Sequence, residues 1–222
     1  MRTTRTARTS PPTESEDMDM TDGKGLLVVV SGPAGSGKGT VNARLLEGGD
    51  FVYSVSATTR SPRPGEVDGV NYHYIAREDF EARIARGELL EHTQYCGNYY
   101  GTLRSETEAV LASSRNLLLE IEVEGAMNVK RQYPEAVLIM LLPPSYRVLE
   151  ARLRGRGTET EEVILRRLAR AREELEFLPR YDYVVYNRDG GVDLAADEIR
   201  SIVIAEQHAM RRNAAAKQDF FE

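Results

Sequence analysis

The stretch Leu26-Leu27-Val28-Val29-Val30-Ser31-Gly32-Pro33-Ala34-Gly35-Ser36-Gly37-Lys38-Gly39-Thr40 decides how this chain is read. Leu26–Val30 is continuously apolar and rich in valine, the pattern of a strand buried on both faces of a parallel sheet. It runs directly into a glycine-rich loop that ends in Lys38 and opens a helix, which is the context a phosphate-binding loop requires. The glycines let backbone N–H groups turn inward around phosphate oxygens. The helix N-terminus adds positive potential, and Lys38 can reach the outer phosphates. One position departs from the commonest form. Ser or Thr usually follows the lysine and ligates Mg²⁺, but here Gly39 follows it and Thr40 comes next. Either Thr40 supplies the hydroxyl, or Mg²⁺ is held mainly by nucleotide oxygens and water. The loop alone specifies a nucleoside triphosphate or a similar phosphate and leaves the reaction open.

Outward from this stretch, apolar β-rich runs alternate with helical patterns. Leu26–Val30, Phe51–Val55, Leu117–Val123, Val137–Leu142 and Tyr183–Tyr186 read as strands. Ser105 with Glu108, and Thr158 with Glu161, have capping-box spacing, and Ser145 after Pro143-Pro144 can cap a helix bearing Leu149 and Leu153. A long charged helix should run to about Phe177, and a last one from about Asp193 carries Ile199, Val203 and Met210. Alternating strands and helices imply an α/β three-layer fold with a central parallel sheet. Two segments fit the alternation poorly and read as inserts on a core of 25–56, 103–146 and 181–222: residues 57–102, and the Arg-rich stretch 147–180.

Composition narrows the class. The 222 residues carry 29 Lys+Arg against 35 Asp+Glu, a formal charge of −6, which disfavours a binder of long nucleic acids, since these need cationic excess. A local arginine cluster in an acidic protein can still take a small anion. The single cysteine, Cys96, excludes an intrachain disulfide framework and suits a reducing compartment. It lacks an evident base partner and reads as a small packed residue. No apolar run approaches the roughly 18 residues that span a bilayer, so the chain reads as soluble, intracellular and globular, without membrane or nucleic-acid partners. His73, His92 and His208 lack metal-ligand spacing. Residues 1–24 are Arg/Thr-rich and then acidic, without large aliphatic side chains, and read as a disordered tail or an upstream start more than a transit peptide.

The segment Ser54-Val55-Ser56-Ala57-Thr58-Thr59-Arg60-Ser61-Pro62-Arg63-Pro64-Gly65-Glu66 places two arginines three apart on a proline-stiffened turn. Paired guanidinium forks suit a phosphate monoester. Asn71-Tyr72-His73-Tyr74 and Gly97-Asn98-Tyr99-Tyr100-Gly101-Thr102 add tyrosine hydroxyls that can complete such a shell without charge.

Together with the phosphate loop, these strings resemble guanylate kinase, a P-loop nucleoside monophosphate kinase. The resemblance runs from about Leu26 to the last helix and rests on Ser-Val-Ser-x-Thr-Thr-Arg-x-Pro-Arg-x-Gly-Glu and Gly-Asn-Tyr-Tyr-Gly. It implies that Arg60, Arg63, Tyr72 and Tyr100 hold the GMP phosphate, and that Ser56, Glu91 and Thr102 line the guanine. Guanine offers two adjacent donors, N1–H and the exocyclic amine, which one carboxylate can accept; adenine presents an acceptor at N1 instead, and the mismatch is costly when buried. Taken alone, Glu91 in Gly87-Glu88-Leu89-Leu90-Glu91 would read as a solvated strand edge.

Two further segments complete the resemblance. In Leu117-Leu118-Leu119-Glu120-Ile121-Glu122-Val123-Glu124-Gly125, strand periodicity puts three glutamates on one face. The family has Asp-Ile-Asp-x-Gln-Gly here, so by resemblance Glu120 lies near the guanine or metal and Glu122 near the metal, with Thr40 the other metal candidate. The Arg-rich run Arg152-Leu153-Arg154-Gly155-Arg156-Gly157-Thr158-Glu159 resembles the family's lid. It implies Arg156 and Arg167 as catalytic arginines beside Lys38 and Arg60, Arg152 on ATP, and Asn187 on the adenine side. Gly32, Pro33, Ala34, Gly35, Ser36, Gly37, Lys38, Gly39 and Thr40 would cradle the ATP phosphates. Most other arginines here, Arg166, Arg170 and Arg172 among them, read as a solvated helix face. The expected reaction is transfer of the γ-phosphoryl group of ATP to GMP (or dGMP) with Mg²⁺, in the cytoplasm, by a monomer or homo-oligomer. The alternative is an inactive guanylate-kinase-like module that binds phosphopeptides through the old GMP site; retention of Lys38 and the lid speaks against it. A P-loop kinase with another small acceptor is the nearer rival.

Overall fold

The computed structural model describes residues 25–221, except 96, 156, 158 and 159, and except the side chains of 95, 217 and 219. Expectations for the 1–24 segment, Cys96, Arg156 and the Thr158–Glu161 capping box therefore lie outside the described residues. In chain order the elements are β1 (Leu27–Ser31), α1 (Lys38–Glu47), β2 (Phe51–Tyr53), β3 (Ala57–Thr58), β4 (His73–Tyr74), α2 (Arg77–Ala85), β5 (Leu89–Tyr95), β6 (Asn98–Leu103), α3 (Arg104–Ala112), β7 (Asn116–Glu120), α4 (Val123–Gln132), β8 (Val137–Leu142), α5 (Tyr146–Gly155), α6 (Glu161–Leu175), a 3-10 turn (Leu178–Arg180), β9 (Tyr183–Tyr186), α7 (Val192–Gln207) and α8 (Ala216–Asp219).

All five apolar runs become strands of one parallel sheet, ordered β2-β7-β1-β8-β9. The central strand β1 is wholly buried, and its side chains alternate between two cores. Val28 and Val30 face α1 and α7 with Leu45, Ile199 and Val203. Leu27 and Val29 face α4 with Ala126 and Val129. Burying one such side chain contributes about 1.5–3 kcal/mol, so continuous apolarity is what a strand covered on both faces requires.

The 57–102 insert folds into a second sheet, β4-β3-β6-β5, with α2 packed on it. Ala57, Phe80 and Leu89 form its own apolar cluster, backed by Ile75, Ile84, Tyr99 and Leu103. β5 also reaches into the main core. Leu90 is fully buried against the α4 side, and Gln132 Nε2 donates to the Leu90 carbonyl at 2.7 Å.

Three local expectations need correction. The acidic strand stops at Glu120; Glu122 is the N-cap of α4 and Glu124 lies in its first turn, so the three glutamates do not share a strand face. Val123, Ala126 and Val129 recur at helical spacing and bury that face, which overrides the alternation before them. Ser105 lies inside α3, whose N-cap is the extended Leu103 at the end of β6. The helix expected to be last, α7, buries Ile199 and Val203 as expected, but it ends at Gln207, Met210 is exposed beyond it, and the short α8 follows. Ser145 does cap α5, accepting from the Val148 N–H at 3.3 Å.

Candidate active site

In a parallel α/β sheet, ligands gather at the C-terminal ends of the strands. Here those ends carry the phosphate loop after β1, the start of the insert after β2, Glu120 at the end of β7, and Asn187 after β9. The loop from Pro33 to Thr40 lines a cleft together with Glu120. Gly37 takes φ 92° as it enters α1, and a Cβ there would stand 2.3 Å from Asn187 Nδ2, so both backbone and space demand glycine. Lys38, the first residue of α1, donates its ammonium to the Gly32 carbonyl across the loop.

The loop is braced from outside. Asn187 Nδ2 donates to the Ser36 carbonyl at 2.8 Å. Arg152 donates to the Asn187 carbonyl at 2.8 Å and to the Ser36 carbonyl at 3.4 Å, while Asp189 accepts from the same guanidinium at 2.8 Å. Both residues that the resemblance put on the donor nucleotide thus hold the loop's backbone. The Ser36 hydroxyl and Asn187 Oδ1 are buried without a hydrogen-bond partner among the described residues. Such groups are costly unless a polar ligand meets them.

The insert brings together the residues expected around an acceptor. Arg60 pairs in bidentate fashion with Glu66, at 2.9 and 3.0 Å, and its guanidinium stands over the Tyr72 ring at 5.4 Å. Tyr100 meets Tyr72 edge-on at 5.9 Å. Glu66, which had no role from sequence, organises this turn. It accepts from the Arg63 N–H at 2.7 Å and the Tyr74 hydroxyl at 2.8 Å. Arg60, the Arg63 N–H and Tyr74 hold its carboxyl down at about 2. Its signal was available: an acid just past a Pro-Arg-Pro-Gly turn can fold back on the preceding arginine. Arg63 itself is exposed on the turn, and Ser56 is half-buried, its carbonyl taking the His73 N–H at 2.9 Å.

Glu91 is no solvated edge. It is 4% exposed, and its Oε1 accepts from the buried Thr102 hydroxyl at 2.8 Å. Burial pushes its carboxyl up to about 7, against the opposing pull of the Thr102 bonds. A buried carboxyl whose hydrogen-bond donors are both on Thr102 is poised for a ligand bearing further donors.

Glu120 accepts from Asn42 Nδ2 at 2.8 Å and borders the phosphate-loop cleft. Glu122 lies apart, exposed, with its carboxylate 3.5 Å from the Arg170 guanidinium. Arg170 is exposed, as a solvated helix face requires, yet it also donates to Glu174 at 3.1 Å and so links α6 to the start of α4. Its spacing of four from Glu174 was the available signal. Buried Glu174 is pushed up by desolvation and then by the Glu122 charge. The lid helices α5 and α6 share an apolar cluster of Leu149, Leu153, Ile164, Leu168 and Ala171 that packs on Ala34 of the loop. Arg167 is half-buried on α6.

A metal candidate must be judged on these donors. Among the described residues, no cluster of three or more His, Cys, Asp or Glu side chains could hold an ion alone. The Thr40 hydroxyl and Glu120 carboxylate nevertheless border the same cleft. Two hard oxygen donors beside a phosphate cradle fit Mg²⁺, which takes few protein ligands and completes its shell from substrate phosphates and water.

Comparison with known proteins agrees with this geometry. The guanylate kinase family model matches residues 24–206. The chain is 53% identical over 195 residues to a guanylate kinase of Halalkalibacterium halodurans, covering 87% of this chain and 94% of that protein. It is 47% identical over 194 residues to a guanylate kinase of Desulfitobacterium hafniense, covering 87% and 96%. Its fold is similar to the crystal structure of guanylate kinase from Anaplasma phagocytophilum, with TM-score 0.69, 33% identity, and coverage of 87% and 92%.

Proposed function

The chain belongs to the guanylate kinase family, and from that premise we infer what its site does. It transfers the γ-phosphoryl group of ATP to GMP (or dGMP), giving ADP and GDP, for guanine nucleotide synthesis and recycling. One observation carries the acceptor's identity beyond kinship: the buried Glu91–Thr102 pair in the insert that also holds Arg60, Tyr72 and Tyr100. A carboxylate accepts both donors of the guanine edge and leaves adenine unmatched.

On this reading, Glu91, Thr102, Ser56 and the nearby Glu120 orient the base, while Arg60, Arg63, Tyr72 and Tyr100 hold its phosphate. To take that phosphate, Arg60 exchanges part of its pairing with Glu66. The loop from Gly32 to Thr40 cradles the ATP phosphates, and Asn187 and Arg152 keep the loop in shape and border the adenine side. An oxygen of the GMP phosphate attacks the γ-phosphorus in line as the bond to the ADP oxygen breaks, with no covalent enzyme intermediate. Lys38 and the lid arginines Arg156 and Arg167 neutralise the charge on the transferred group. Packing of the lid on the loop supports its role in excluding water from the transfer. Thr40 and Glu120 would hold Mg²⁺, supported by their shared cleft. When bound, the ion would lower the charge of the outer phosphates. Glu122, the second metal candidate from sequence, is engaged by Arg170.

No helix among the described residues is long and apolar enough to cross a membrane. A cytoplasmic location, supported by the single cysteine, and action as a monomer or homo-oligomer complete the proposal. Nothing in the comparisons favours the phosphopeptide-binding alternative. The test is a coupled assay with ATP and GMP, dGMP, AMP, CMP or UMP as acceptor. GDP formation with little turnover of AMP, CMP and UMP is expected. A protein that binds ATP and GMP yet forms no GDP would refute the reading.

A further inference from the structure

Glu91 reaches out of the insert and lies against the first turn of α4. Its Oε1 is held by Thr102, and its Oε2 points at Gly125. A Cβ built on Gly125 would stand 2.9 Å from Glu91 Oε2 and 3.5 Å from its carboxyl carbon. The first separation is shorter than real Cβ contacts, so a side chain at 125 cannot share the space with this carboxylate.

The backbone does not ask for glycine here. Gly125 is absent from the residues with positive φ, and it lies within a regular helix. Alanine is the better helix former, so the helix gives no reason of its own for glycine at this place in its first turn. Next nearest to that Cβ after Glu91 Oε2 is Ile121 Cδ1, at an ordinary contact of 3.4 Å. What alanine would displace is therefore the carboxylate. Nor can the two elements separate to make room. Leu90, next to Glu91, is fully buried with Ala126 and Val129 of α4, and Gln132 of the same helix bonds the Leu90 carbonyl.

We propose that Gly125 is a specificity-determining positioning residue: its missing side chain is the seat in which the Glu91 carboxylate lies, and that seat sets the angle at which the carboxylate presents itself to the guanine edge. The inference rests on the guanine role given to Glu91 above. A Cβ at 125 turns the carboxylate about its side-chain axis, off the Thr102 hydroxyl or off the base, while no phosphate-loop atom is among the nearest neighbours of that Cβ. Misplacement of a binding group by about 1 Å costs on the order of 100-fold.

The experiment compares the full chain with Gly125→Ala, Glu91→Gln, Glu91→Asp and the Gly125→Ala/Glu91→Asp double variant. It measures kcat and KM for GMP, ATP affinity by titration, and Tm. Gly125→Ala should raise KM for GMP about 10- to 100-fold, with ATP affinity unchanged and Tm equal or higher, because alanine favours the helix. A merely structural glycine would lower Tm and weaken both nucleotides. Glu91→Asp draws the carboxylate back from position 125, so it should do less harm when added to Gly125→Ala than when made in the parent. If Glu91→Gln raises KM for GMP and Gly125→Ala does not, the proposal fails while the guanine reading stands. If Glu91→Gln also leaves KM for GMP unchanged, both fail. A Gly125→Ala protein that loses Tm and ATP affinity together with GMP also overturns the proposal.

Discussion

Replacing Glu91 with glutamine should make the ligand-free protein more stable at pH 8 while changing it far less at pH 5. The Glu91 carboxyl is almost fully enclosed and sits at about 7 instead of 4.5. In the unfolded chain it ionises near its ordinary value, so between these two pH values the folded state carries a proton that the unfolded state has released. Stability therefore falls as pH rises through that window and levels off above about 7. Each pKa unit corresponds to about 1.36 kcal/mol, so the full window is worth about 3 kcal/mol, most of it between pH 5 and 8. Glutamine has the same shape, still accepts from Thr102, and does not ionise. Urea unfolding followed by circular dichroism at pH 5 and pH 8, for parent and Glu91→Gln, gives a double difference in which pH-independent effects of the substitution cancel. The variant should gain about 2–3 kcal/mol relative to the parent on going to pH 8, equivalent to about 5–10 °C in Tm for a chain of this size. A double difference within about 0.5 kcal/mol of zero, or one of opposite sign, would show that the carboxyl is not strained by burial. Saturating GMP at pH 8 should then stabilise the parent and leave the variant nearly unmoved.

Lys38→Ala should lower kcat by about 10²- to 10³-fold, the usual cost of removing one fixed charge-stabilising group, with an unchanged urea midpoint; a loss below tenfold would remove the lysine from the transfer step. Gly37→Ala should weaken ATP binding and cost about 1–3 kcal/mol in stability, because alanine must enter the left-handed region and displace Asn187; GMP binding, measured by calorimetry, should survive. Glu206 is 2% exposed and accepts from the Tyr183 hydroxyl, Arg211 and Arg212. Glu206→Ala should therefore cost about 3 kcal/mol by urea unfolding with kcat/KM for GMP at the parental value, since these groups tie the C-terminal segment to Tyr183, at the end of β9 opposite the one that carries Asn187.

The main sheet was legible because its strands are buried on both faces, and runs such as Val137–Leu142 can be little else. The insert's sheet was not, because β3 and β4 are only two residues long and are held by pairing with strands distant in sequence. The Glu120–Glu124 segment misled for a definite reason. Its alternation has strand period, while the apolar residues that decide its fate, Ala126 and Val129, lie beyond it on the helix. In the site, residue types were readable but pairings were not. That Arg60 meets Glu66 was at least hinted by the turn between them, but that Arg152 and Asn187 grip the loop's carbonyl depends on crossovers that no local pattern encodes. Glu91 shows the same divide: its neighbours in sequence suggest an exposed edge, and only the docking of β5 on α4 encloses it.

That docking gives the small sheet a fulcrum. β5 is fastened to the main core through Leu90, whereas β3, which leads into Arg60, lies two strands away and joins the main sheet through the short link 54–56, where the Ser54 N–H donates to the Leu118 carbonyl at 3.0 Å. Strands are spaced about 4.8 Å apart, so a swing of the sheet about β5 by about 10° carries the Arg60 end through about 2 Å and leaves Glu91 almost in place. On the proposed reading, Glu91 on β5 would meet the base beside the core, and Arg60, beyond β3, would meet the phosphate two strands away, so a small rotation of the sheet would adjust the phosphate grip and leave the base grip in place.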